Sequence, residues 1–311
     1  MNFIAFLAGL LLERLLAGQL GLREPRWLAA YVRGSVELTS RAGTGAAAVA
    51  VVCALLPGLA ISVATSVATT AVHDVATLVH GVSGRGHGLL QLLVAAVVLF
   101  FSLGPRDLKQ EVREYRAALA RDDRVAAERV AAEILEHDAG QRQGPQLASV
   151  GEAVFVQANN RLFGVLFWFA VLGPFGALGF RLTDLMRREA ILCAGRPGAA
   201  ASAAATSRIC QRLHGVLAFV PARLVALSYG VAGSFEESFT GWRGYLAAES
   251  DHFFDANDRL LLHAGRGALG GRWEASDEEG ERAGAAVALT EAAFYVWLAG
   301  FALLTLVAWI A

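Results

Sequence analysis

Gln157, Asn159, Asn160 and Arg161 stand directly before an apolar run, Leu162–Phe180. Amides and a guanidinium at a membrane boundary can bind an anion or a carbonyl, because arginine offers a rigid fork of donors. A plainer reading also stands: Arg161 snorkels toward water while the amides cap a helix. Arg223 poses the question more sharply, near the middle of the apolar stretch Leu213–Gly233. A charge at that depth costs about 2.5–3.5 kcal/mol on insertion scales and normally has a partner or a wet cavity. Pro221 frees a backbone carbonyl one turn earlier that Arg223 could satisfy locally, so structural and functional readings both remain open.

Other chemistry-bearing strings are weaker. His80–Gly88 (HGVSGRGHG) is glycine-rich but lacks the GK[ST] ending of a phosphate loop and follows no visible strand, so it reads as an inter-helix turn. His73, Asp74, His80 and His87 form a loose set of possible metal ligands with no spacing that fixes them on one face. Cys53, Cys193 and Cys210 are too few and too scattered for a disulfide framework or a zinc site. No GxSxG or HExxH occurs, and the apolar segments hold no acid apart from Glu291. A magnesium-nucleotide enzyme normally needs carboxylates to hold its metal, so this pattern counts against catalysis. No catalytic residue, metal or cofactor is expected. The formal charge of −1 argues against a nucleic-acid surface, which needs a concentrated basic patch.

The elements that carry these residues are membrane helices. Hydrophobic residues make up 55% of the 311 and charged ones 18%, and the apolar excess collects into uncharged runs. An all-α, polytopic membrane protein follows. Ala46–Val72, Gly88–Gly104, Leu213–Gly233 and Thr290–Ala311 qualify or nearly qualify as spans. Asn2–Leu12 reads as a retained apolar start, with no basic region or cleavage site of a signal peptide. Gly173-Pro174-Phe175-Gly176 splits Leu162–Phe180 and predicts either a kink or a re-entrant hairpin.

Lys/Arg counts favour the hairpin. Residues 105–161 carry 9 and residues 181–212 carry 6, whereas 234–289 carries 5 against 11 acids. A re-entrant Leu162–Phe180 puts the first two of these loops in the cytoplasm and the acidic one outside. Leu108, Val112, Tyr115 and Leu119 repeat as one helical face, Asp122-Asp123 offers an N-cap, and Val125–Leu135 predicts a second helix, so 105–150 reads as a cytoplasmic helical hairpin. Gly140–Ser149 reads as a flexible connector. The expected organisation is one membrane domain: 1–104 N-terminal helices, 105–150 helical loop, 151–233 core motif region, 234–289 acidic loop, 290–311 C-terminal helix.

Three stretches carry a family resemblance: Glu13-Arg14; Asn159-Asn160-Arg161-Leu162-Phe163 leading to Leu166-Phe167-Trp168; and Phe219-Val220-Pro221-Ala222-Arg223-Leu224. They look like the AmpE family, inner-membrane proteins linked to control of inducible β-lactamase. That family belongs with the CobD/CbiB-like group, whose enzymes attach an aminopropanol arm to the cobyric acid side chain using ATP. The chain departs from those synthases where they carry acids. Their Glu-Asn-x-x-Asp pattern is matched by Val156-Gln157-Ala158-Asn159-Asn160, and the proline that follows in them is Val165. Phe180-Arg181 is kept, but Leu182-Thr183-Asp184-Leu185-Met186 replaces their Asn-Thr-Leu-Asp string. Their Asp-Asp pair and Asn are matched by His214-Gly215 and Ala218. His263–Gly270 (HAGRGALG) resembles their Ala-Gly-Ala-Leu-Gly and suggests that the acidic loop folds back onto the same face, against the charge count.

The resemblance therefore implies a non-catalytic, inner-membrane, multi-pass modulator of β-lactamase induction and cell-wall stress. Asn159, Asn160, Arg161, Arg181 and Arg223 are its expected ligand-binding cluster, facing a shared cavity. The implied partners are membrane lipid and a cell-wall fragment or other small anion, with the protein partner unidentified and no nucleic acid. The alternatives are a CobD/CbiB-type amide ligase, adenosylcobinamide-phosphate synthase-like, or a small permease.

Overall fold

The computed structural model describes residues 26–42, 45–80, 85–103, 108–135, 149–196, 201–248, 256–276 and 278–310. Every element among them is helical and no strand occurs, as the apolar runs and their helical periodicity imply. Glu13-Arg14 and most of the Gly140–Ser149 connector lie outside the described residues, as do the side chains of His73, Asp74, His80 and His87. Contacts group the chain into two units: the described parts of Met1–Pro105 with Val165–Glu189, and those of Arg106–Gly164 with Ala190–Ala311.

In the first unit, α1 (Arg26–Arg41) is amphipathic. Leu28, Val32, Ser35, Val36 and Thr39 are buried at three- and four-residue steps, while Arg33, Glu37 and Arg41 face out. α2 (Ala46–His80) runs past the expected end of its apolar segment and contains Pro57. Proline has no N–H, so the Cys53 carbonyl lacks its helical donor. The Tyr31 hydroxyl of α1 donates to that carbonyl instead. α3 (Arg85–Leu103) buries Ala95, Ala96, Leu99 and Leu103 and exposes Leu93, Val97 and Phe101.

Most of α7 (Gly164–Ala194) belongs to this unit too, and it is not one helix. Gly173 takes φ 65°, ψ −151°, a conformation almost restricted to glycine. A methyl group on Gly176 would lie 2.2 Å from the Trp168 carbonyl oxygen. Eight residues of continuous helix would separate those positions by about 12 Å. The chain therefore turns back sharply at Gly173, between two helical legs of α7. The turn packs on α2: a methyl on Gly58 would meet the Phe175 ring at 2.8 Å.

The second unit begins with a hairpin of α4 (Leu108–Ala120) and α5 (Arg124–Leu135). Asp123 caps α5 by accepting the Ala126 N–H at 3.0 Å, and Asp122 makes the turn at φ 54°. Val112 and Tyr115 are buried as expected, but Ala118 takes the place assigned to Leu119, which is 40% exposed. The buried stripe steps by three at its end.

α6 (Val150–Ala158) is buried along its whole length, with Ser149 as its N-cap accepting from the Glu152 N–H. Asn159–Phe163 forms one π turn before α7. α8 (Ala201–Ala232), α9 (Phe235–Ala248), α10 (Ala256–Leu269), the short α11 (Gly271–Glu274) and α12 (Glu279–Ile310) follow. Phe155 of α6 sits at the centre: its ring contacts Tyr229 and Trp273, and its carbonyl accepts from the Tyr229 hydroxyl at 3.1 Å. Gly265 lets α10 approach, since a methyl there would strike the Phe155 ring at 2.7 Å. Trp297 of α12 contacts Phe163 and donates to the Ser228 hydroxyl at 2.8 Å. The acidic 234–289 region thus folds back onto α8 and α6.

Three stretches, Val150–Ala194, Ala201–Ala232 and Glu279–Val307, are long and apolar enough to cross a membrane.

Candidate functional site

The π turn positions the first polar group. It places one extra residue in the turn, with the Gly164 N–H reaching back five residues to the Asn159 carbonyl. Such bulges recur at functional sites because they re-aim side chains. Here Asn159 and Asn160 point inward, 0% and 2% exposed. Asn159 donates through Nδ2 to Asn160 Oδ1 at 3.2 Å. Its own Oδ1 is buried and receives no donor from the described residues. Asn160 Oδ1 also lies 3.2 Å from Nε2 of the buried His214 on α8. Asn160 and His214 are two of the positions where the synthases carry acids by resemblance, and the fold puts them in contact.

Arg161 leaves this pair and turns to the α4–α5 hairpin. Its Nε donates to Gln157 at 2.9 Å, its Nη1 to Glu111 at 2.8 Å, and its Nη2 to the Glu133 carbonyl at 3.4 Å. Both charged side chains are largely dry, 12% and 5% exposed. Neither snorkelling nor simple capping describes that arrangement.

Arg223 is held from α8 and α10. Its Nη1 donates to the Phe219 carbonyl at 2.7 Å and to Asn257 Oδ1 at 3.0 Å, and its guanidinium lies 3.3 Å over the Phe219 ring centroid. Pro221 deprives the Leu217 carbonyl of its helical donor, and Arg223 donates to the Phe219 carbonyl in the same stretch of α8. Asn257 completes the bridge by donating to the Gly215 carbonyl at 2.7 Å. A polar line thus runs from Asn159 through Asn160 and His214, and along α8 to Asn257 and Arg223.

Arg181 lies in the first unit. It pairs with the fully buried Asp184 at 3.1 Å, and Arg187 and Arg188 reach the same carboxylate at 2.8 and 3.2 Å. Two further buried carboxylates come from outside the apolar runs. Glu111 arrives from α4, and Glu152 pairs with Arg266 at 3.2 Å. His263, one turn from Arg266, has its pKa lowered by burial first, then by the Arg266 charge; Glu152 opposes this and Arg259 adds to it.

Sequence reasoning placed Asn159, Asn160, Arg161 and Arg223 without their partners Glu111, His214 and Asn257. A signal for Glu111 was present, since it stands beside Val112 and four residues before Tyr115, inside the apolar face of α4. The donors gathered around the π turn are carboxamides, an imidazole and guanidiniums, with Glu111 engaged by Arg161. That set does not suit a magnesium ion, which favours carboxylate and water oxygens. Among the described residues no three His, Cys, Asp or Glu side chains come together.

Comparison with known proteins separates the branches of the resemblance. The family model described as CobD/CbiB protein matches residues 6–274. A protein of Chromobacterium violaceum named cobalamin biosynthesis protein CobD is 29% identical over 237 residues, 68% of this chain and 70% of that one. One of the same name from Stutzerimonas stutzeri is 31% identical over 182 residues, 57% of this chain and 56% of its own length. No solved structure matches. The AmpE assignment and the role in β-lactamase induction are corrected by these matches. Of the strings that suggested them, Phe219–Leu224 packs the fold of this chain: Ala222 is fully buried, Pro221 is buried beside it, and Arg223 braces α10. Such residues mark the group and not its branch. By the extent of the match, the chain belongs to the CobD/CbiB family.

Proposed function

We propose that the chain acts in cobalamin biosynthesis as a CobD/CbiB-type amide ligase of the cytoplasmic membrane, joining an amino-alcohol arm to a corrinoid carboxyl. The observation that carries this reading is the family match over 6–274, which includes every residue of the polar line. Amide formation from a carboxyl must expel one of its oxygens, so the reaction needs ATP to convert the carboxyl to an acyl phosphate. The phosphate then leaves as an amine relieved of its extra proton attacks. In the tautomer that donates Nε2–H to Asn160, whose Oδ1 already accepts from Asn159, His214 carries its basic lone pair on Nδ1, the nitrogen that would take a proton from the amine. The buried Asn159 oxygen is an acceptor suited to a ligand N–H. Arg223, braced by Asn257, brings a guanidinium to the same polar line, a group whose planar fork suits a carbonyl or carboxylate. The donor set does not fit a metal, and no step is assigned to one.

The reversal at Gly173 supports a multi-pass arrangement in which 105–161 and 181–212 share the cytoplasmic side, since both are rich in Lys and Arg. The test is complementation of a strain lacking its own synthase. Cobinamide-phosphate formation should return with the wild-type chain and fall by about 10²–10⁴-fold with His214→Ala, the usual span for a lost general base. No product from wild-type protein present in the membrane at normal level overturns the reading.

A further inference from the structure

The outer face of α8 is apolar along its membrane-crossing half. Val216, Val220, Leu224, Leu227 and Val231 recur at four, four, three and four residues, each between 40% and 61% exposed. The chain then turns at Gly233-Ser234 and α9 folds back along α10. The Ser234 N–H donates to the Ala268 carbonyl at 2.9 Å and the Ser238 hydroxyl to that of Ala264 at 3.0 Å.

This turn extends the apolar surface. A methyl on Gly230 would lie 3.3 Å from the Phe235 ring, so that ring packs on the last turn of α8, where the stripe ends. Phe235 and Phe239 are 55% and 42% exposed, stacked at 6.1 Å with 8° between their planes. Trp242 meets Phe239 edge-on and packs on Ala226, Leu260 and Ala264, anchoring the row to the core. Other positions on α9 are polar and also exposed: Glu236, Glu237, Thr240 and Arg243. Two phenylalanines in water would be costly, and two glutamates in acyl chains more so. One environment satisfies both faces.

We propose that the α8–α9 corner is a lipid-docking surface, with α9 lying in the membrane–water boundary and Phe235 and Phe239 against acyl chains. Continuity with the exposed stripe of a membrane-crossing helix favours lipid over a protein partner. Arg243, its guanidinium 5.7 Å from the Phe239 ring, is placed where a long side chain reaches from an apolar anchor toward headgroups.

The full chain, with Cys53, Cys193 and Cys210 changed to Ala, would be spin-labelled singly at Phe235→Cys, Phe239→Cys, Glu236→Cys and Thr240→Cys in nanodiscs. Labels at 235 and 239 should be relaxed by oxygen in preference to a water-soluble nickel chelate, and those at 236 and 240 the reverse. Labels at 235 and 239 that favour the nickel chelate would overturn the proposal, as would labels shielded from both reagents, the signature of a covering protein. A second arm leaves the sequence untouched: a phospholipid with an acyl-chain diazirine should crosslink the wild-type chain within 235–239. Absence of that adduct while α8 residues are labelled also overturns it.

Discussion

Arg161 and Glu111 bind each other 50 positions apart in the chain and almost out of reach of water. Removing one partner of such a pair strands the other charge, which typically costs ~3–5 kcal/mol. Arg161→Ala should therefore lower the unfolding temperature in detergent sharply. The double change Arg161→Met with Glu111→Leu should recover most of that loss, and equal damage from both would show that the pair is not what matters. His263 gives a pH signature. Its lowered pKa means the folded state releases the imidazole proton more readily than the unfolded one. Its effect on stability is absent well above the ordinary value of about 6.5 and destabilising as pH falls through it, because the unfolded chain gains a proton the folded one resists. His263→Gln should flatten the pH dependence of the unfolding temperature across that window. At this scale the sequence announced which polar residues were unusual but not whom they meet. Asn257 and His214 look ordinary until α10 folds onto α8 and the π turn faces it.

At the scale of elements, the glycine-proline break was legible because both residues have strong backbone preferences, while its sharpness shows only in Gly176 lying against Trp168. Gly176→Ala forces a methyl onto a backbone carbonyl at 2.2 Å, so the two legs must part. The chain should fail to accumulate in the membrane or unfold at a markedly lower temperature. Gly173→Ala meets no neighbour and carries only the backbone strain of its conformation, about 1–3 kcal/mol. A Gly176→Ala protein as stable as wild type would contradict the tight reversal. The π turn, by contrast, left no compositional trace, because one extra residue in a turn disturbs no periodicity over so short a run. The spans were readable for the opposite reason: burial in lipid demands long uncharged sequence.

Across the whole molecule, the apolar pattern revealed the helices and the shared motifs revealed the group, yet the same motifs pointed to the wrong branch. Pro221 is buried and Arg223 braces α10, packing roles that do not tell one branch from another. Sidedness can be tested directly. Cysteines introduced at the exposed positions Glu128 and Arg208, in a background with the native cysteines changed to Ala, should both resist an impermeant maleimide in intact cells and both react once the membrane is opened. One reacting alone in intact cells would break the proposed topology. The doubling-back at Gly173 also has a consequence for how the protein is made. Its second leg is delivered by the ribosome only after the turn has emerged, so the insertion machinery must hold the first leg until its mate arrives and release the two laterally as a couple. A ribosome paused just past Gly176 would therefore leave a nascent chain whose first leg has the earlier helices of its unit beside it but not yet its own second leg.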